Sequence, residues 1–172
     1  MSAKPARFDP YAILTALERQ RVSYVLIGGF ARIIQGTEEL TNGLDLTPST
    51  RAENLRRLAV ALDDLEASLP NGVRTELERD LDRGPVLDLH TSAGELKIVP
   101  EPAGTRGGYD DLRRAATREP IGRGLRPRVA SIGDLARTLA ALGREQDLPP
   151  LQQLRTLAEL ERTLIRGRSI ER

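Results

Sequence analysis

Residues 24–46 read YVLIGGFARIIQGTEELTNGLDL, and this stretch decides the fold. Val22 to Ile27 is β-branched, aromatic and apolar, which is strand chemistry. It runs straight into Gly28-Gly29, read as a glycine turn, after which Phe30 to Ile34 has the composition of a short helix stopped by Gly36. Leu44-Asp45-Leu46 is a second short strand. Strand, glycine pair, helix and strand within two dozen residues predict the start of an α/β sheet region.

Outward from this unit, Asp9 and Pro10 form an N-cap and N1 pair opening a helix to about Gln20, with Ile13, Leu14 and Leu17 on one face. Pro48-Ser49-Thr50 supplies a turn and cap for a helix bearing Leu55, Leu58, Leu62 and Leu65. The segment from Val73 to Val99 reads as β-structure, with 85–90 and 95–99 forming a hairpin around Ser92-Ala93-Gly94. A short helix over 109–117 and one more short strand within 118–128 follow. Ser131 to Asp134 opens a helix through Leu142. Pro149-Pro150 opens a last helix, whose leucines 151, 154, 157, 160 and 164 predict a core-facing stripe; its arginine-rich end from Arg162 is expected to fray. The expectation is an α/β (α+β) fold, a mixed sheet flanked by helices over residues 1–130, with a C-terminal helical segment, 131–172, packed on it.

Composition narrows the chemistry. With no cysteine among 172 residues, disulfides, thiolate zinc sites and cysteine nucleophiles are excluded. The 26 Lys plus Arg against 25 Asp plus Glu give a net charge of +1, which argues neither for nor against a nucleic-acid partner. Lys4 and Lys97 are the only lysines, so any step needing an amine that can lose its proton falls to Lys97 outside the N-terminal tail. No stretch has signal-peptide or membrane-spanning character, and a cytoplasmic protein without a membrane partner is expected.

The spacing of Gly28, Gly29, Ala31, Gly36, Thr41, Leu44, Asp45 and Leu46 resembles the nucleotidyltransferase superfamily, above all its AbiEii-like and MenT-like toxin branches. The likeness continues through Gly94-Glu95-Leu96, Ala103-Gly104-Thr105, Val129-Ala130-Ser131, Asp134-Leu135, Gly143-Arg144 and Asp147. It implies a nucleoside triphosphate and Mg2+ as cofactors, transfer of a nucleoside monophosphate to a tRNA end or a protein hydroxyl, and a cognate antitoxin as partner. By the same likeness, Asp45 and Lys97 stand at catalytic positions, and Gly28, Gly29, Thr41, Arg144 and Asp147 at nucleotide-binding ones.

The motif has a physical logic of its own. Carboxylates at i and i+2 of a strand project to one face, where with a third from a neighbouring strand they hold two divalent ions roughly 4 Å apart. Glycines let backbone amides approach a triphosphate. This chain departs from the pattern where the charge matters: Gly43 replaces the first aspartate, Lys97 the third, Leu139 a lysine and Glu39 an arginine. An ion pair between Asp45 and Lys97 would neutralise the lysine. Asp88 is the replacement metal ligand to pair with Asp45, with His90 beside it, unless both simply belong to a solvated strand face. The arginines 113, 114, 118, 123, 126 and 128 could line a groove for RNA or form a solvated loop. Two functions stay open: a transferase with a partly erased metal site, and a non-catalytic module binding nucleotide, RNA or a partner protein.

Overall fold

The computed structural model describes residues 6–170. Helix α1, Pro10–Arg19, starts where the Asp9 carboxylate accepts the Ala12 N–H, and it buries Ile13, Leu14, Ala16 and Leu17. Strand β1, Tyr24–Ile27, is buried along its whole length, as expected of a central strand covered on both faces. Helix α2, Gly28–Gln35, follows without a connecting residue. Gly28 and Gly29 are therefore its first turn, and not the separate turn the sequence suggested. Gly36 closes it with φ 120°, a conformation that needs glycine.

Strand β2, Gly43–Pro48, precedes helix α3, Ala52–Asp64. The expected cap in 48–50 is not used: Arg51 occupies the N-cap position without a side-chain hydrogen bond. Asn54, 5% exposed, fixes α3 instead. Its amide donates to the carbonyls of Ser23 and Ser49 and its oxygen accepts the Ser23 N–H. These three bonds tie the entry of β1 to the start of α3.

The segment from Val73 is not all β-structure. Helix α4, Leu77–Leu81, interrupts it, organised by buried Asp80, which accepts from the Glu76 N–H and the Thr75 hydroxyl. Strands β3, Leu87–Thr91, and β4, Gly94–Ile98, form the expected hairpin. Helix α5 is only Tyr109–Leu112, and two short strands follow, β5, Thr117–Arg118, and β6, Arg128–Val129, where one was expected.

The six strands lie in the order β3-β4-β2-β1-β6-β5. Neighbours β2 and β4 run parallel, as do β1 and β6; the other pairs are antiparallel. The sheet is thus mixed, flanked by helices, as its pattern predicts. At the C-terminus, α6, Ile132–Leu142, is capped by Ser131 through the Asp134 N–H, and α7, Leu148–Ile170, packs against it. Helix α7 is helical to Ile170, past Arg162 where fraying was expected, and the last two residues of that end, 171–172, lie outside the described residues. Its leucine stripe is only partly a core stripe: Leu151 and Leu154 are buried, but Leu160 and Leu164 are 55% and 68% exposed, because the helix outruns the body it packs on.

Candidate functional site

The start of α2, which follows directly on β1, the loop 39–42 and the adjoining face of β2, β4 and β3 line an open cavity of 460 Å³. Register explains which side chains meet there. Asp45 on β2 lies opposite Lys97 on β4, and Lys97 lies opposite Asp88 on β3. One step along, Gly43 faces Glu95, and Glu95 faces His90. Cross-strand partners share a face and residues two apart do too, so one surface carries Asp45, Lys97, Asp88, Glu95 and His90.

The ion pair is not the one expected. Lys97 Nζ is 3.7 Å from Asp88 Oδ1, and no ion pair or side-chain hydrogen bond of Asp45 exists among the described residues. Asp45 sits deeper than the lysine, whose side chain is half exposed and leans toward the outer strand where its ammonium keeps its water. Burial pushes the Asp45 carboxyl above the usual aspartate range; Lys97 and Arg32 pull it down, and Asp88 pushes it up.

Gly28 is fixed by this carboxylate. Its φ is +72°, and a Cβ there would run into Asp45 Oδ2, so any other residue would displace the aspartate. The first turn of α2 has no side-chain cap, which leaves its amides available to an anion. Thr41 donates to the Gly43 carbonyl at 2.9 Å and so shapes the entry into β2. At Gly43 itself a Cβ would lie 3.1 Å from both Cβ and carbonyl oxygen of Glu95. A side chain at this position, where the resemblance implies an aspartate, would need the neighbouring strand to give by a few tenths of an ångström.

The structure brings Gly29, Thr41, Asp45, Asp88 and Lys97 to this cavity, with Gly28 against Asp45, but Arg144 and Asp147 are not part of its wall. Those two pair with each other at 2.6 Å at the approach to α7. Leu139, where a lysine was expected, is 3% exposed in the core. Glu39 does not leave a missing positive charge. It chelates Arg32 through both carboxylate oxygens and accepts from the Thr37 hydroxyl. Burial works to raise the Glu39 carboxyl, but these bonds and the Arg32 charge outweigh it and hold it below the usual range. Sequence reading missed Arg32 and Glu95 as wall residues. The reversed charge at Glu39 was the available signal for Arg32, since a new acid beside a helix implies a basic partner.

No trio of His, Asp or Glu among the described residues is arranged to hold a metal ion. The donor set explains this: Asp45 and Asp88 are separated by the strand that carries Lys97, and an ammonium paired with one of the two carboxylates opposes a dication there. The residues present do not fit a magnesium pair.

No protein-family model matches the sequence, and no curated protein does. Solved structures match over most of the chain. A lincosamide antibiotic adenylyltransferase with lincomycin bound is similar with a TM-score of 0.58 and 15% identity, covering 88% of this chain and 99% of that one. The antibiotic-resistance factor ANT(2″)-Ia, in complex with adenylyl-2″-tobramycin, gives 0.58 and 17% over 92% and 95%. A Thermotoga maritima protein described as a nucleotidyltransferase gives 0.52 and 16% over 82% and 86%. The chain therefore has the nucleotidyltransferase fold.

Proposed function

We propose that this chain is a nucleotidyltransferase-fold protein with a degraded metal site, one that holds a nucleoside triphosphate without Mg2+ and works as a binding module. The observation that carries this reading is the row Asp45, Lys97, Asp88 across β2, β4 and β3. A two-metal transferase needs clustered carboxylates around its ions. Here the middle place of the row is a lysine, and Gly43 contributes no ligand. In this reading Lys97 offsets Asp45 and attracts phosphate, the first-turn amides of α2 at Gly28 and Gly29 donate to it, and Thr41 keeps the approach to β2 in shape.

The likeness to AbiEii-like and MenT-like toxins supplies the partner classes. A tRNA end or a cognate antitoxin would meet the open side of the cavity, and a cytoplasmic setting supplies all of them. Antibiotic adenylyltransferases share the fold, so an aminoglycoside or a lincosamide is a further acceptor to be tried. Titration calorimetry decides the matter. ATP is expected to bind in the presence of EDTA, Mg2+ alone to give no heat, and Lys97→Glu to abolish the ATP signal. Transfer of radiolabelled nucleotide by the wild-type chain to tRNA, to itself, to tobramycin or to lincomycin, abolished by Asp45→Ala, would establish an active transferase instead.

A further inference from the structure

A second cavity, of 330 Å³, opens at the other end of β1. Its wall includes Tyr24, Tyr109, Glu18, Arg21, Arg118 and Arg128. Tyr24 and Ile27 are the two ends of β1, so the two cavities are separated by about 10 Å of strand, and neither needs the other.

Three observations point to a ligand. Arg118 and Arg128 are direct cross-strand partners in the β5–β6 pair, an arrangement of like charges that is unfavourable unless something negative lies between or beside them. Neither they nor Arg21 takes part in any ion pair among the described residues. Arg128 donates one hydrogen bond, to the Tyr109 hydroxyl at 3.2 Å, and Arg118 one, to the Arg126 carbonyl at 3.3 Å. A guanidinium has five N–H donors, so most of theirs remain unused. The third observation is Tyr24 itself. It is 6% exposed, it lines the cavity, and its hydroxyl has no hydrogen-bond partner. Buried hydroxyls are normally satisfied. Burial and the Glu18 charge hold this phenol protonated, against the opposing pull of Arg118, which keeps it a donor.

We propose that this cavity is a binding site for a phosphate monoester, held by the Tyr24 hydroxyl and the forked guanidiniums of Arg118 and Arg128, with Arg21 at the rim. Charge selects the ligand class. Three guanidiniums against the single carboxylate of Glu18 leave an excess of two positive charges, matching a monoester, which carries roughly −1.5 to −2 near neutrality. A nucleic-acid backbone diester carries only about −1 per phosphate. Planar guanidiniums also suit the paired oxygens of a phosphate. Such a monoester is supplied either by a free nucleoside monophosphate or by the phosphorylated end of a nucleic-acid strand.

The test uses the full chain carrying Lys97→Glu, which removes the cation of the first site. Inorganic phosphate and then adenosine 5′-monophosphate are titrated while amide resonances are followed by NMR. Shifts are expected at Tyr24, Arg118 and Arg128 and not at Gly28 or Gly29. Arg118→Gln and Arg128→Gln are each expected to weaken binding by about ten-fold or more, and Tyr24→Phe, which keeps the packing of the ring, by about three-fold or more. An RNA oligonucleotide with and without a 5′-phosphate separates the sources: tighter binding of the phosphorylated strand than of the mononucleotide assigns the strand end, and the reverse assigns the free nucleotide. Resonances that stay unmoved in a millimolar excess of phosphate, or affinities equal to the parent in all three variants, overturn the proposal.

Discussion

Replacing Lys97 by aspartate converts the central cation of the row into a third carboxylate, and the structure sets how large the response should be. Lys97 and Asp88 are 3.7 Å apart with side chains 47% and 61% exposed. At that distance two unit charges interact by about 1 kcal/mol in water, and exposure places the net value at or below that. Lys97→Asp removes this attraction and adds repulsion of similar size toward Asp45 and Asp88, so the metal-free variant should lose about 1–2 kcal/mol. A divalent ion reverses the balance. If the rebuilt trio binds Mg2+ with a Kd of about 1 mM, about 10 mM MgCl2 returns roughly 1.4 kcal/mol through mass action. For a chain of this length that is a rise in Tm of about 3–6 °C. Thermal melts followed by circular dichroism, with and without MgCl2, measure it, and the wild type should move by less than about 1 °C. A wild-type gain equal to that of the variant would refute the claim that Lys97 occupies the metal's place. So would a folded variant that gains nothing.

Leu139→Lys, the substitution that restores the lysine the family resemblance implies, should destabilise the protein by about 2–5 kcal/mol and not improve any activity, because the position is core; urea unfolding showing a loss below about 1 kcal/mol would place it near solvent instead. Asp45→Asn should be more stable than wild type at neutral pH. Since the folded carboxyl titrates above the ordinary aspartate value, its stabilising contribution exists only at low pH and is lost as pH rises through the folded pKa, so the advantage of the variant must shrink as pH falls toward 4. Equal differences in unfolding free energy at pH 7 and pH 4 would contradict that assignment.

The elements legible in the sequence are those whose burial is written in local periodicity. The apolar run into Gly28, the alternation of Leu87, Leu89, Leu96 and Ile98, and the Ser131 cap each specify their structure within a few residues. Helix α4 was not legible, because five residues carry no period and the helix depends on Asp80 collecting hydrogen bonds around a turn. Leu160 and Leu164 carry the same pattern as Leu151 and Leu154, and only the length of the body beneath α7 separates exposed from buried. In the site, strand register made Asp45 and Lys97 neighbours as their motif positions required, but side-chain reach decided that Lys97 pairs with Asp88. The arginine-rich segment showed a short strand but not its partner, since Arg118 and Arg128 meet Tyr24 only through sheet pairing across about a hundred residues of chain.

That long connection also sets a timetable for synthesis. Strand β1 acquires its partner β2 almost at once, yet its other edge waits for Val129, 103 residues after Leu26. At translation rates of about 5–20 residues per second, the four-residue apolar edge Tyr24–Ile27 stands open for about 5–20 s in every nascent chain. An edge of that kind pairs readily with its own copies. Crowding of ribosomes on one message therefore brings together chains at the same unfinished stage, and yield in the cell should respond to initiation rate and to cold-slowed elongation more than to the stability of the finished fold.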